Sequence, residues 1–226
     1  MKAVEELLPI PAGPVSLSAD ITVPEASPGV VLFAHGSGSS RLSPRNRAVA
    51  QQLHAAGLGT VLVDLLTERE AYRDAMTAEF RFNVTLLADR LTAIADWLFE
   101  HETTSGRGIG LFGASTGAAA ALRTAAARPV WVQAVVSRGG RPDLTGDVLR
   151  LVHQPTLLIV GERDREVLDF NNIAMAKLGG PCRLEIVARA THLFEEPGTL
   201  DQVAKLATDW FVQHLKPLPR HEHLPG

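Results

Sequence analysis

Residues 109–127 read IGLFGASTGAAAALRTAAA. The run 109–112 has the make-up of a buried strand, and 116–127 is an alanine-rich helix former. Between them, Gly113-Ala114-Ser115-Thr116-Gly117 places two glycines evenly about one serine. A serine at a strand-to-helix turn must take a strained backbone conformation if its Oγ is to project into a cleft. Glycines two positions to either side keep side chains out of that turn, and the following helix aims its first N–H groups at whatever binds there. The same small residues would also suit a tight turn made only for close packing, so the rest of the chain has to decide between the two.

Working outward, the apolar runs VVLFA (30–34), TVLVD (60–64), WVQAVVS (131–137), TLLIV (156–160) and LEIV (184–187) read as further strands. Helix-period segments lie between them. Residues 44–56 form one, stopped by Gly57. A long helix is predicted over 79–100, where Val84, Leu87, Leu91, Ile94 and Leu98 make one apolar face. Thr199 and Gln202 have capping-box spacing ahead of a final helix carrying Val203, Leu206, Trp210 and Phe211. The run VSLSADITV (15–23) alternates as an antiparallel edge strand or hairpin would. Strands that are apolar throughout and alternate with helices imply an α/β fold: a mostly parallel sheet with helices on both faces. Ligands on such sheets bind beyond the carboxyl ends of the strands. The loops after Ala34, Asp64, Phe112, Ser137 and Val160 therefore share one functional edge.

A serine hydroxyl is a weak nucleophile until a base takes its proton, and the base needs a carboxylate to orient it. Asp164 follows TLLIV in Gly161-Glu162-Arg163-Asp164, and His192 follows LEIV in Ala190-Thr191-His192. Ser115, Asp164 and His192 thus sit in loops at the same sheet edge, in the chain order expected after a G-x-S-x-G turn. Glu162 and Asp169 are the competing acids; Glu162 is nearer the strand end and Asp169 falls within the next helix. The other histidines place worse, in or beside helices or ahead of a strand. Acyl chemistry also needs donors for a developing oxyanion. Thr116 N–H is one candidate, and Ser37 N–H, in His35-Gly36-Ser37-Gly38-Ser39-Ser40, is the second. His35 reads as a brace for that loop. The polar stretch 65–79 is the longest insertion and a candidate wall for the site, with Tyr72, Met76 and Phe80 as apolar contacts. Arg41, Arg45, Arg138 and Arg141 lie in or near loops of the same edge, and Arg41 and Arg138 are candidates to hold an anionic substrate group. Exposed charge, or pairing with Asp64 or Asp143, is the alternative.

Four segments carry a family resemblance: VVLFAHGSGS (30–39), LFGASTGAA (111–119), LLIVGERD (157–164) and ARATHLF (188–194). Together they resemble the α/β-hydrolase superfamily, over residues from about 14 to 215. The short chain is similar to the small, lidless dienelactone-hydrolase-like group. The resemblance implies a single-domain α/β-hydrolase fold without a large cap domain, and a serine hydrolase of ester-type bonds using Ser115, His192 and Asp164. Dienelactone hydrolases themselves carry cysteine at the nucleophile position, where this sequence has Ser115. Larger members insert a helical lid where this chain has only residues 138–155, which implies an open site. Acyl transfer to another acceptor, or amide cleavage, would use the same three residues. A non-catalytic binding module on the same fold is the reading from another class.

The chain has 226 residues, 46% of them hydrophobic, which suits one domain over 1–216. The tail 217–226, rich in proline and carrying His221 and His223, is expected to be poorly ordered. A formal charge of −3 and the lack of a basic run argue against nucleic acid. No apolar run approaches the length of a membrane span, and the N-terminus has no signal-like apolar region. With Cys182 alone, no intrachain disulfide forms. These features point to a cytoplasmic enzyme acting on a small acyl substrate, with no cofactor, no metal and no membrane partner, and with a homodimer allowed.

Overall fold

The computed structural model describes residues 2–219. Strands β1 (Ala3–Ala12) and β2 (Val15–Pro24) form an antiparallel hairpin, with Ala12 opposite Val15. The remaining strands are β3 (Gly29–Ala34), β4 (Gly59–Val63), β5 (Gly108–Ala114), β6 (Val132–Arg138), β7 (Thr156–Gly161) and β8 (Cys182–Val187). They join the hairpin in one eight-stranded sheet, in the order β1-β2-β4-β3-β5-β6-β7-β8. From β4 to β8 every neighbouring pair is parallel, while β2 meets β4 antiparallel. The run read as an edge strand or hairpin is therefore the inner arm of a hairpin, and β1 takes the edge. Every residue of β3, β4, β5 and β7 is buried. That is why these strands read as continuous apolar runs rather than alternating ones.

The helices are α1 (Pro44–Ala55), α2 (Glu68–Thr77), α3 (Val84–Glu100), α4 (Thr116–Ala127), α5 (Arg165–Met175) and α6 (Thr199–His214). One face of the sheet packs Leu87, Leu91 and Ile94 of α3 and the alanines of α4 against Leu32 and Leu111. The other packs Val49 and Leu53 of α1 and Val203 and Phe211 of α6 against Phe33 and Phe112. The two cores make this a single α/β domain with both sheet faces covered.

Three local expectations differ from the structure. The polar stretch 65–79 contains α2, which opens on a capping box: Glu70 N–H donates to Thr67 Oγ1 at 3.3 Å, and Thr67 N–H to Glu70 Oε2 at 2.9 Å. The long helix expected over 79–100 begins only at Val84, because the Asn83 side chain accepts from Leu86 N–H at 3.0 Å and caps it there. The final helix starts at Thr199 without a capping box. Gly198 occupies the cap in a left-handed conformation, and Thr199 Oγ1 donates instead to Glu196 O at 2.7 Å. Residues Pro142–Leu151, in the segment where a lid would be inserted, form a 3₁₀ turn structure. The tail is described only to residue 219, where Leu218 N–H donates to Gly106 O at 2.9 Å. His221 and His223 lie outside the described residues. No described helix is long and apolar enough to cross a membrane.

Candidate active site

Ser115 joins β5 to α4 with φ 51° and ψ −119°, a region of backbone space that a residue with a Cβ enters only under strain. The surroundings hold it there. Its N–H donates to Arg138 O at 3.2 Å, and its carbonyl accepts from Ala118 N–H and Arg141 N–H, each at 3.1 Å. The flanking glycines are required by close approach. A Cβ on Gly117 would stand 2.2 Å from Ala34 O, and one on Gly113 would stand 2.4 Å from Ala118 Cα. Residues 118 to 121 are all fully buried alanines, so α4 lies tight against the sheet with its first turn beneath Ser115.

Asp164 caps α5 immediately after β7, and His192 follows β8. The two loops are tied by Arg163 N–H to Ala190 O at 2.9 Å. His192 Nδ1 lies 2.6 Å from Asp164 Oδ2. A hydrogen bond there fixes Nδ1 as the protonated nitrogen and leaves Nε2 free to act as a base. The imidazole lies against Gly139, whose Cβ would stand 3.4 Å from His192 Cε1. Ser115 is hydrogen-bonded to Arg138 on one side of that glycine and to Arg141 on the other. The three residues read from sequence are thus gathered at one sheet edge. The competing acids are placed elsewhere: Glu162 accepts from Arg189 N–H at 2.7 Å, and Asp169 is exposed on α5. Glu196 accepts from Thr191 N–H at 3.1 Å and so holds the His192 loop.

The loop after β3 comes up against the start of α4. Ser37 Oγ and Thr116 Oγ1 are 3.1 Å apart, and neither backbone N–H has an acceptor among the described residues. Free backbone donors close to Ser115 are of the kind a developing oxyanion would need. His35 braces this loop. Its Nδ1 lies 2.9 Å from Gly36 O, and Leu65 N–H donates to its Nε2 at 3.0 Å. Both contacts suit a neutral ring, and burial pushes its pKa below 6.5.

Ser37, Gly38 and Thr116 line a cavity of about 160 Å³ together with Leu66, Leu87 and Arg81. Arg81 belongs to a cluster that the sequence did not reveal. Asp74 of α2 accepts from Phe80 N–H at 2.7 Å, from Arg81 N–H at 2.9 Å and from Arg81 Nε at 2.7 Å. Burial would raise the Asp74 carboxyl, but these donors outweigh it and hold its pKa below the usual value. Their signal is weak in sequence because the two residues meet only across the left-handed turn at Ala78.

Among the candidate substrate contacts, Arg41 and Arg141 make the pairings with Asp64 and Asp143 that were the alternative reading. The Arg41 guanidinium spans Asp20 at 3.1 Å and Asp64 at 2.7 Å, so it clamps β2 to the loop after β4. Tyr72 and Met76 are 73% and 68% exposed on α2, outside the cavity lining. Arg141 pairs with Asp143 at 2.7 Å. Arg138 is buried on the opposite sheet face from the cavity, its guanidinium over the Phe112 ring. Among the described residues, no group of three or more His, Cys, Asp or Glu side chains is gathered to hold a metal ion.

A family model described as the dienelactone hydrolase family matches residues 17–217. A dienelactone hydrolase from Anabaena variabilis is 50% identical in its crystal structure, with a TM-score of 0.92 over 96% of this chain and 100% of its own. A Mycobacterium tuberculosis protein, provisionally named a phosphoribosyl transferase, is 55% identical over 211 residues, which are 93% of this chain and 47% of that protein. The chain therefore spans about half the length of the curated relatives it matches. Est1E from Butyrivibrio proteoclasticus, 14% identical with a TM-score of 0.76 over 92% of this chain and 98% of its own, shares the fold.

Proposed function

The chain belongs to the dienelactone hydrolase family, and on that premise we propose that it is a serine hydrolase of small ester, lactone or thioester substrates. One observation carries the reading: Ser115 is held at φ 51° at the same sheet edge as a His192–Asp164 pair 2.6 Å apart. His192 Nε2 takes the proton of Ser115 Oγ as Oγ bonds to the substrate carbonyl carbon. Asp164 keeps the imidazole oriented and stabilises its charged form. The oxyanion sits between Ser37 N–H and Thr116 N–H. It collapses as the bond to the leaving group breaks, and His192 returns the proton to that group. Water then attacks the acyl-enzyme with His192 as base, releasing the acid and restoring Ser115.

The cavity of about 160 Å³ suits a short acyl chain, and the 3₁₀ segment 142–151 leaves the approach without a lid. The name phosphoribosyl transferase belongs to proteins of which this chain spans about half, and the serine, base and carboxylate in this half are suited to acyl chemistry. The test is a panel of esters, lactones and thioesters varied in acyl length, run beside Ser115→Ala. That variant should lower kcat by roughly 10³-fold or more; near-normal turnover would reject the mechanism.

A further inference from the structure

One buried charge has no hydrogen-bond or ion-pair partner among the described residues. Arg138 ends β6 at 7% exposure, and its guanidinium makes no hydrogen bond among the described residues, with Nη1 wholly buried. The charged group that bears on it is another cation, Arg45 in the first turn of α1. Burial, and then repulsion from Arg45, push the Arg138 pKa down to about 10, which still leaves it charged at neutral pH. Arg45 is itself poorly answered. Its Nε is buried without a partner, and its Nη1 stands 3.4 Å from Glu195, a carboxylate that is 65% exposed. A nine-tenths buried guanidinium without a hydrogen bond, with a second cation nearby whose Nε is also unanswered, is costly unless an anion joins them.

We propose that Arg45 and Arg138 form a binding site for a small oxyanion, a carboxylate or phosphate group, on the α1 and α6 side of the reaction centre. Guanidinium forks match such groups with paired N–H donors. The position separates this site from the acyl cavity. Arg138 stands over Phe112, in the core that α1 and α6 cover, whereas the cavity is walled by Leu87 of α3. It is nevertheless next to the chemistry, since Arg138 O accepts from Ser115 N–H and a Cβ on Gly139 would stand 3.4 Å from the His192 ring. Glu195, three residues after His192, is the internal competitor that holds Arg45 when no anion is present.

The anion has two sources, a free ion or an anionic group of the substrate, and two arms separate them. In the first, inorganic phosphate is titrated into the full chain by calorimetry at constant ionic strength. One site is expected, weakened at least tenfold in Arg45→Met and tightened in Glu195→Gln. Both positions are partly exposed, so these variants should fold, and thermal denaturation checks that they do. In the second arm, KM is compared for a carboxylate-bearing ester and its neutral isostere; a preference lost in Arg45→Met assigns the anion to the substrate. This arm rests on the hydrolase reading, whose failure would appear as no ester turnover in any variant, and the phosphate arm then decides alone. Phosphate binding that Arg45→Met leaves unchanged overturns the site. So does the lack of phosphate binding with no Arg45-dependent ester preference.

Discussion

Replacing Ser115 by glycine should make the protein more stable while abolishing its chemistry. Ser115 holds φ 51° and ψ −119°, and its three backbone hydrogen bonds keep it there. A side-chain-bearing residue in such a region costs about 1–3 kcal/mol. Glycine removes that strain but gains freedom in the unfolded chain, which costs about 0.5–1 kcal/mol. The net gain is about 1 kcal/mol, which for a domain of this size is a rise of about 2–4 °C in Tm. Ser115→Ala is the matched control: it removes the same hydroxyl but keeps the Cβ, and so keeps the strain. Thermal denaturation of the two variants at one pH, side by side, reads the difference directly. A glycine variant that melts at or below the alanine variant would refute the claim that Ser115 is strained.

Other perturbations have equally definite outcomes. Gly117→Ala puts a Cβ 2.2 Å from Ala34 O, so the helix start must shift; it should cost about 3 kcal/mol in denaturant unfolding and most of the activity. Asp164→Asn should leave the fold intact but lower kcat on the order of 10³–10⁴-fold, measured on the best ester of the panel. His35 has its pKa lowered by burial, so the unfolded chain takes up a proton near pH 6.5 while the folded one resists it. Stability is therefore full above about pH 6.5 and falls as the pH drops toward the folded value. His35→Asn should lower stability at pH 8 by about 1–3 kcal/mol, because Leu65 N–H loses its acceptor, and should flatten part of the acid decline seen in urea titrations. His54 and His214, also lowered by burial, add to that decline, and the lowered carboxyls of Glu6, Glu70 and Asp74 carry it on at more acid pH.

What could be read in advance was whatever is written along the chain. β3, β5 and β7 are buried on both faces, so their apolar runs were continuous and marked a parallel sheet. Ser115, Asp164 and His192 each end a strand or follow one, so a linear reading could place all three at one edge. What was missed depends on contacts across the fold. Pairing of Arg41 with Asp64 was one of the two readings left open, but its second partner, Asp20, lies on β2, which only the sheet brings to it. The Asp74–Arg81 pair needs the left-handed turn at Ala78, and Ala is a poor sign of such a turn. α2 was the avoidable miss, since Thr67 and Glu70 carry a capping-box spacing in an otherwise polar run. The isolation of Arg138 was out of reach: alternation puts Ser137 and Arg138 on opposite faces of β6, but says nothing of the charges each face meets.

The proposed hydrolase depends on Ser115 as nucleophile and His192 as its base. A fluorophosphonate probe with peptide mapping by mass spectrometry tests it most directly. A single adduct is expected on the peptide carrying Ser115, absent from Ser115→Ala and formed far more slowly in His192→Ala. No adduct on the folded protein, or an adduct that persists in Ser115→Ala, would contradict it.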